Sequence, residues 1–76
     1  MFDLAGIRRT AGLTQVELAV ILGVKQAQVS KIERQNDMLV STLASYLTAL
    51  GVEARIVVEV GEETLTYDLT AGKGDR

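Results

Sequence analysis

Residues 14–33 constrain the fold of this chain more than any other segment, because they predict two short helices joined by a tight turn. Thr14 can accept a hydrogen bond from the backbone N–H of Glu17, whose carboxylate can reach back to the N–H of Thr14. Gly23 can take the positive φ that ends a helix, which a residue with a Cβ adopts only at a cost. The segment therefore predicts a first helix from Gln15 to the turn at Gly23 and a second helix directly after it.

The second helix of this unit has an apolar side and a polar side. Val29 and Ile32 lie three residues apart and can pack toward Ala19 and Leu22 of the first helix. Ala19 is small at the point where the two helices must cross closely. The remaining positions carry hydrogen-bonding or charged groups and one methyl group: Gln26, Ala27, Gln28, Ser30, Lys31 and Arg34.

This pattern resembles the helix-turn-helix of the phage-repressor family, the Cro and CI-like or XRE-type regulators. The matching positions are Thr14, Gln15, Leu18, Ala19, Leu22, Gly23, Val24, Val29, Ser30, Ile32 and Glu33. The flanking helices resemble those of the family too, so the match covers roughly two thirds of the chain. The resemblance implies a mainly α fold, in which residues 1–52 form a four-helix lambda-repressor-like helix-turn-helix domain that binds DNA.

The resemblance also assigns the start of the second, or recognition, helix to the base edges of the major groove. Gln26 can pair bidentately with adenine, Lys31 can donate to guanine, and the Ala27 methyl can contact a thymine methyl. Gln15 is the expected phosphate clamp, because it stands at a helix N-terminus. Glu33 is expected to be structural, pairing locally or capping. The predicted DNA-binding residues, with Lys25 and Arg34 as further phosphate contacts, are Gln15, Lys25, Gln26, Ala27, Gln28, Ser30, Lys31 and Arg34.

The net charge of −2 argues at first against a nucleic-acid partner, since phosphate contacts require Lys and Arg. The charges are segregated, however. Residues 1–37 carry five basic and four acidic groups, whereas residues 38–76 carry three basic and six acidic groups. We therefore expect moderate DNA affinity, with a modest dependence on salt, from the first half of the chain.

Several function classes are excluded by composition. The chain has no Cys and no His, so disulfides, thiol chemistry and the usual zinc or copper ligands are not expected. Only scattered Asp and Glu remain for acid–base chemistry, which predicts no enzyme and no cofactor. No signal peptide or apolar run of membrane length is present, so the predicted location is the cytoplasm.

The helices around the central unit are predicted from their apolar spacing and end signals. A first helix is expected from about Leu4 to Ala11 with Asp3 as its cap, and the recognition helix from about Gln26 to Gln35. A fourth helix is expected from Val40 to Leu50, closed by a glycine. Asn36 is expected to take a left-handed conformation at the end of the recognition helix. The predicted buried positions of the outer helices are Leu4, Ile7 and Ala11, then Val40, Leu43, Ala44, Leu47 and Leu50.

Residues 53–70 change from a helical to an alternating apolar pattern, which predicts a β-hairpin around a turn at residues 61–63. A two-stranded hairpin is marginal alone, and its open edge can pair with another strand. Pairing with a second copy through residues 54–69 would give a two-fold homodimer whose recognition helices read successive major grooves about 34 Å apart. The alternative is a hairpin folded over its own helices as a lid. Residues 71–76 are expected to form a flexible tail.

Two positions depart from the family pattern. Lys25 stands where a Ser or Thr cap is common, and it cannot accept a hydrogen bond from an amide. Val16 and Val20 lie four residues apart where the family tends to be polar. They predict either extra core, which we favour, or an exposed apolar stripe for a protein partner.

The function predicted from the sequence is a dimeric, sequence-specific transcriptional regulator, most simply a repressor. A helix-turn-helix followed by an acidic strand pair also resembles the HigA-like antitoxins, which repress their own operon and bind a small toxin. The alternative is a protein-interaction module, toxin-neutralising or adaptor, that has the fold but little DNA binding. Its best support is the acidic isoelectric point of 4.9.

Overall fold

The central two-helix unit is formed by α2 (Gln15–Leu22) and α3 (Gln26–Arg34). The computed structural model describes residues 3–35 and 37–70. The Thr14 hydroxyl accepts from the Glu17 N–H at 3.1 Å, and the Glu17 carboxylate accepts from the Thr14 N–H at 2.8 Å. Gly23 ends α2 with a φ of 75°. The predicted capping box and the predicted glycine turn are both confirmed.

Two further helices flank this unit, α1 (Leu4–Thr10) before it and α4 (Val40–Leu50) after it. The Asp3 side chain accepts from the Gly6 N–H at 3.0 Å and caps α1, which ends one residue before the predicted end. The α4 bounds agree with the prediction. The recognition helix lacks a side-chain cap at Lys25, as its chemistry predicted. Asn36 and the predicted tail 71–76 lie outside the described residues.

Among residues 3–35 and 37–70, the buried apolar core is aliphatic except for one tyrosine. Its buried apolar residues are Leu4, Leu18, Ala19, Val29, Ile32, Tyr46, Leu47 and Leu50. Two predicted core positions are wrong, since Ala11 and Val40 are exposed. Ala11 is the C-cap of α1, beyond its last turn, and Val40 is the first residue of α4, at the rim of the core.

Val16 and Val20 are also exposed, with 55% and 76% of their surface accessible. The favoured prediction that they extend the core is therefore wrong. They lie four residues apart, so both fall on one side of α2, while Leu18 and Ala19 are the buried residues of that helix. The two valines form an exposed apolar stripe, which was the other expectation.

The hairpin consists of β1 (Arg55–Val60) and β2 (Glu63–Asp68), paired antiparallel with Val60 opposite Glu63. The turn is thus two residues long, one shorter than predicted, and Gly61 supplies a φ of 61° at its first position. All strand residues are exposed, so the hairpin is not a lid over its own helices. At its base, the Leu69 N–H donates to the Ala54 carbonyl at 2.9 Å and the Ala54 N–H donates to the Thr70 hydroxyl at 3.2 Å.

Candidate nucleic-acid interface

The predicted DNA-binding residues lie along α3 and at its start, except Gln15, which begins α2 and is hydrogen-bonded to Gln26. Val29 and Ile32 are buried against the core, which turns the other faces of α3 outward. Of the predicted set, Ser30 and Gln15 are half-buried, and the remaining members are exposed: Lys25, Gln26, Ala27, Gln28, Lys31 and Arg34. The surface therefore offers amide donors and acceptors, three cations and one methyl group to a ligand.

A buried ion pair lies directly beneath this surface. The Arg8 Nε donates to Glu33 Oε2 at 2.7 Å, and Arg8 Nη2 donates to Glu33 Oε1 at 3.4 Å. Arg8 Nη1 donates to the carbonyl of Leu13 at 3.0 Å. Both charged side chains are less than one tenth exposed. The pair therefore ties α1 to the end of the recognition helix and to the loop before α2.

Tyr46 of α4 completes the environment of the Glu33 carboxylate. Its hydroxyl lies 2.6 Å from Glu33 Oε2 and 3.2 Å from the Leu4 carbonyl oxygen. Burial of the Glu33 carboxylate acts to raise its pKa, but hydrogen bonds from Arg8, Tyr46 and Gln15 outweigh this and lower the pKa below the ordinary value. Burial and the adjacent Glu33 carboxylate raise the pKa of the Tyr46 hydroxyl, which stays protonated and able to donate.

A chain of amides leads from Glu33 to the first residue of the recognition helix. Gln15 Nε2 donates to Glu33 Oε1 at 2.9 Å, and Gln26 Nε2 donates to Gln15 Oε1 at 3.1 Å. The half-buried Gln15 side chain is thus tied to Glu33 and Gln26, and one N–H of its amide is left for a phosphate. The predicted phosphate clamp at Gln15 stays a prediction, with a weaker side-chain contribution than the sequence suggested.

A second side-chain contact lies further along the same helix, where Arg34 Nη1 donates to the Ser30 hydroxyl. The residues are four apart on one helix face. Ser30 is half-buried and occupied by this contact, so it supports the position of Arg34 while its own predicted contact with DNA stays untested.

The sequence does not predict the polar cluster of Arg8, Glu33 and Tyr46, because these residues are 13 or more positions apart along the chain. Glu33 was expected to be structural, and it is, but its partner Arg8 is 25 residues away and not local. Arg8 and Tyr46 each fall on a helix face that packing alone turns inward. The one signal available was Glu33 itself, an acidic side chain in a helix that the sequence predicts to bind DNA.

The buried carboxylate predicts a pH dependence of stability. The pKa of Glu33 is lower in the folded state than in the unfolded chain, where a Glu titrates near about 4.3. Its contribution is therefore fully present above that pH and is lost as the pH falls through the folded pKa. We expect the free energy of unfolding, measured by urea titration at a fixed protein concentration, to fall as the pH drops below about 4.3. The Glu33→Gln variant should have a smaller free energy of unfolding than the wild type at neutral pH, but it should lose less of it as the pH falls. An equal loss in both proteins would contradict the assignment.

No group of His, Cys, Asp or Glu within residues 3–35 and 37–70 is placed to hold a metal ion. In the same part of the chain, no helix has the length and apolar character to cross a membrane.

Comparison with known proteins agrees with the fold. HigA2 of Mycobacterium tuberculosis (strain H37Rv) is 40% identical over 67 residues, which are 86% of this chain and 66% of that protein. The chain thus spans just under two thirds of that relative's length. A solved structure of DNA-bound antitoxin HigA3 matches with a TM-score of 0.78 at 40% identity, covering 87% of this chain and 88% of that one.

A second solved structure, described by induced DNA bending through unique dimerization of HigA antitoxin, matches with a TM-score of 0.76 at 40% identity. It covers 87% of this chain and 91% of the other. The family model for a helix-turn-helix domain matches residues 1–59, more than half of the sequence. The chain therefore belongs to the XRE-type helix-turn-helix domain family, with HigA antitoxins among its homologues.

Proposed function

We propose that this protein is a dimeric, sequence-specific DNA-binding regulator that acts as an antitoxin and represses its own operon. The observation that carries the proposal is the exposed polar face of α3. On this face, Gln26 is held by a hydrogen bond to Gln15, which is itself hydrogen-bonded to the Glu33 carboxylate. A preorganised amide loses less conformational entropy on binding than a free one. The structure of DNA-bound antitoxin HigA3, which shares this fold at 40% identity, supports DNA binding by this chain.

The charge distribution of the described residues supports DNA binding by the helical part. Arg8 and Glu33 neutralise each other, which leaves four cations, Arg9, Lys25, Lys31 and Arg34, all exposed. Only a few phosphates can be neutralised by each copy, so one copy alone is expected to bind DNA weakly. Two coupled copies would supply useful affinity.

The hairpin supports dimerisation through the predicted residues 54–69. The register places Ile56 opposite Tyr67 and Val58 opposite Leu65 on one face. These side chains are exposed although they are apolar, which is unfavourable for an isolated copy. Ile56 also borders a groove of about 400 Å³ whose apolar lining includes Leu4, Met38, Leu43, Leu47, Ala54 and Leu69. A second copy packed across this continuous apolar surface would cover it, and dimerization is described for a HigA antitoxin of the same fold.

The experiment that tests DNA binding is selection of the full chain on a randomised duplex library long enough for two half-sites, roughly 20 base pairs. We expect a symmetric site to be enriched. Gln26→Ala and Lys31→Ala should each weaken binding to that site by about 1–3 kcal/mol, measured by fluorescence anisotropy. Thr48→Ala, an exposed change on α4, is the control and should leave affinity unchanged. Failure to enrich any sequence would refute the DNA-binding function.

The antitoxin part of the proposal is supported by the homologues and by the exposed stripe of Val16 and Val20. A protein partner that covers this stripe would remove apolar surface from water. The proposed activity is binding, with no catalytic step. An adjacent reading frame that encodes a compact protein, co-purifying with this chain when both are expressed, would support a toxin partner. Lack of co-purification with any neighbouring product would count against it.

A further inference from the structure

The polar cluster beneath the recognition helix connects the core to the first residue of that helix in single hydrogen-bonded steps. Arg8 donates to Glu33, Gln15 donates to Glu33, and Gln26 donates to Gln15. The side chain of Glu33 is 6% exposed, and it is the acceptor from which these bonds lead outward to the exposed Gln26. We infer that Glu33 is a positioning residue for base readout, because it fixes which end of the Gln26 amide faces the DNA.

The inference follows from the direction of each hydrogen bond. A Gln amide can turn by 180° and exchange its oxygen and nitrogen unless its neighbours favour one orientation. An ionised Glu33 only accepts, so Gln15 must present Nε2 to it and Oε1 to the other side. That oxygen in turn requires Nε2 of Gln26 as its donor. The acidic group thus sets the orientation of both amides.

The groups left on Gln26 define what it can read. After donating one N–H to Gln15, the Gln26 amide keeps one N–H donor and its Oε1 acceptor. Adenine offers an acceptor at N7 and a donor at N6 in the major groove. The fixed orientation places the donor on the Gln15 side and the acceptor away from it. A reversed amide would present the two groups in the opposite order along the base edge.

Arg8 and Tyr46 maintain this arrangement from below. Both donate to the Glu33 carboxylate, and Arg8 carries no acceptor that could reverse the direction. Their hydrogen bonds also keep the pKa of Glu33 low, so the carboxylate stays ionised and acceptor-only at neutral pH.

The inference rests on the proposed DNA-binding function and is tested on the site selected by the wild-type chain. Each adenine in that site is replaced in turn by 7-deazaadenine, which lacks the N7 acceptor. Gln26 reads the adenine whose replacement weakens binding of the wild-type protein but leaves the affinity of the Gln26→Ala variant unchanged. In the wild-type protein we expect this replacement to weaken binding by about 5- to 30-fold. If no adenine depends on Gln26, the inference is wrong even though DNA binding stands.

The discriminating variant is Glu33→Gln, which offers an NH2 group to Gln15 while its oxygen still accepts from Arg8. Both following amides should then turn, and the penalty for 7-deazaadenine should fall below about 2-fold. Tyr46→Phe is the matched control, because it removes a hydrogen bond to Glu33 but leaves the carboxylate acceptor-only. It should keep the wild-type penalty. A full penalty in Glu33→Gln, or an equal loss in both variants, would overturn the inference.

A measurement on the wild-type protein covers the case in which Glu33→Gln does not fold. Side-chain amide protons of Gln15 and Gln26 that are hydrogen-bonded should exchange with solvent more slowly than those of the exposed Gln28, as followed by ¹⁵N NMR. Exchange of the Gln15 protons as fast as those of Gln28 would show that the orientation is not fixed.

Discussion

Replacing Arg8 with alanine is expected to remove most of the free energy of unfolding of the protein. The change removes the guanidinium that donates to both oxygens of Glu33 and leaves a buried carboxylate with only Tyr46 and Gln15. Removing one partner of a buried pair costs about 3–5 kcal/mol, because the remaining charge stays out of water without compensation. A 76-residue domain has about 5 kcal/mol of stability to lose.

Urea titration followed by circular dichroism, at one protein concentration for all variants, checks this expectation. Arg9→Ala is the matched control, since Arg9 is the exposed neighbour of Arg8 on α1. It should change the free energy of unfolding by less than about 0.5 kcal/mol. An Arg8→Ala protein within about 1 kcal/mol of the wild type would mean that the ion pair contributes little to holding α1 on the recognition helix.

Placing two aspartates on the apolar face of the hairpin is expected to abolish the dimer and most of the DNA affinity. Val58 and Leu65 are opposite each other in the register, and about two fifths of each side chain is exposed in the isolated chain. In the proposed dimer both would be buried, so Val58→Asp with Leu65→Asp would bury two adjacent like charges. The double variant should be a monomer of 8.2 kDa by light scattering, whereas the wild type should have twice that mass.

The loss of the dimer should weaken operator binding by roughly 10²-fold or more, because the second half-site no longer binds as part of the same molecule. Thr66→Asp is the control: it adds a charge to the same strand on the opposite face, where it should not disturb packing between copies. Retained dimer mass in the double variant would refute the apolar face as the interface. A dimer lost in both proteins would point to pairing at the strand edge.

Much of the fold follows from local signals that the sequence states directly. The Thr14 capping box, the turn at Gly23 and the spacing of Val29 and Ile32 depend on residues within one turn of each other, so the α2 and α3 unit is predictable. The change to an alternating pattern after Gly51 likewise predicts the hairpin. Such signals fix elements and their polar faces.

For the candidate site, the sequence predicts which side chains are exposed on α3 but not the buried contacts that support them. The exposed positions of Gln26 and Lys31 follow from which residues of α3 are buried. The support beneath them does not, because the contacts of Arg8 and Tyr46 with Glu33 join α1, α3 and α4 across 25 and 13 residues of chain. The favoured prediction that Val16 and Val20 are buried is wrong for a related reason: apolar spacing indicates that two residues share a helix face, but it does not say what covers that face.

The sequence by itself determined that a helix-turn-helix unit forms, where its two helices begin, and which side chains of α3 stay on the surface. These features depend on backbone caps, glycine conformations and helical period, all of which act over a few residues. Only the tertiary structure decided that a buried Glu33 holds Gln15 and Gln26 in one orientation and that the hairpin leaves its apolar face uncovered. Those features depend on how separate elements pack, because packing decides which groups lose water and which donors can reach them.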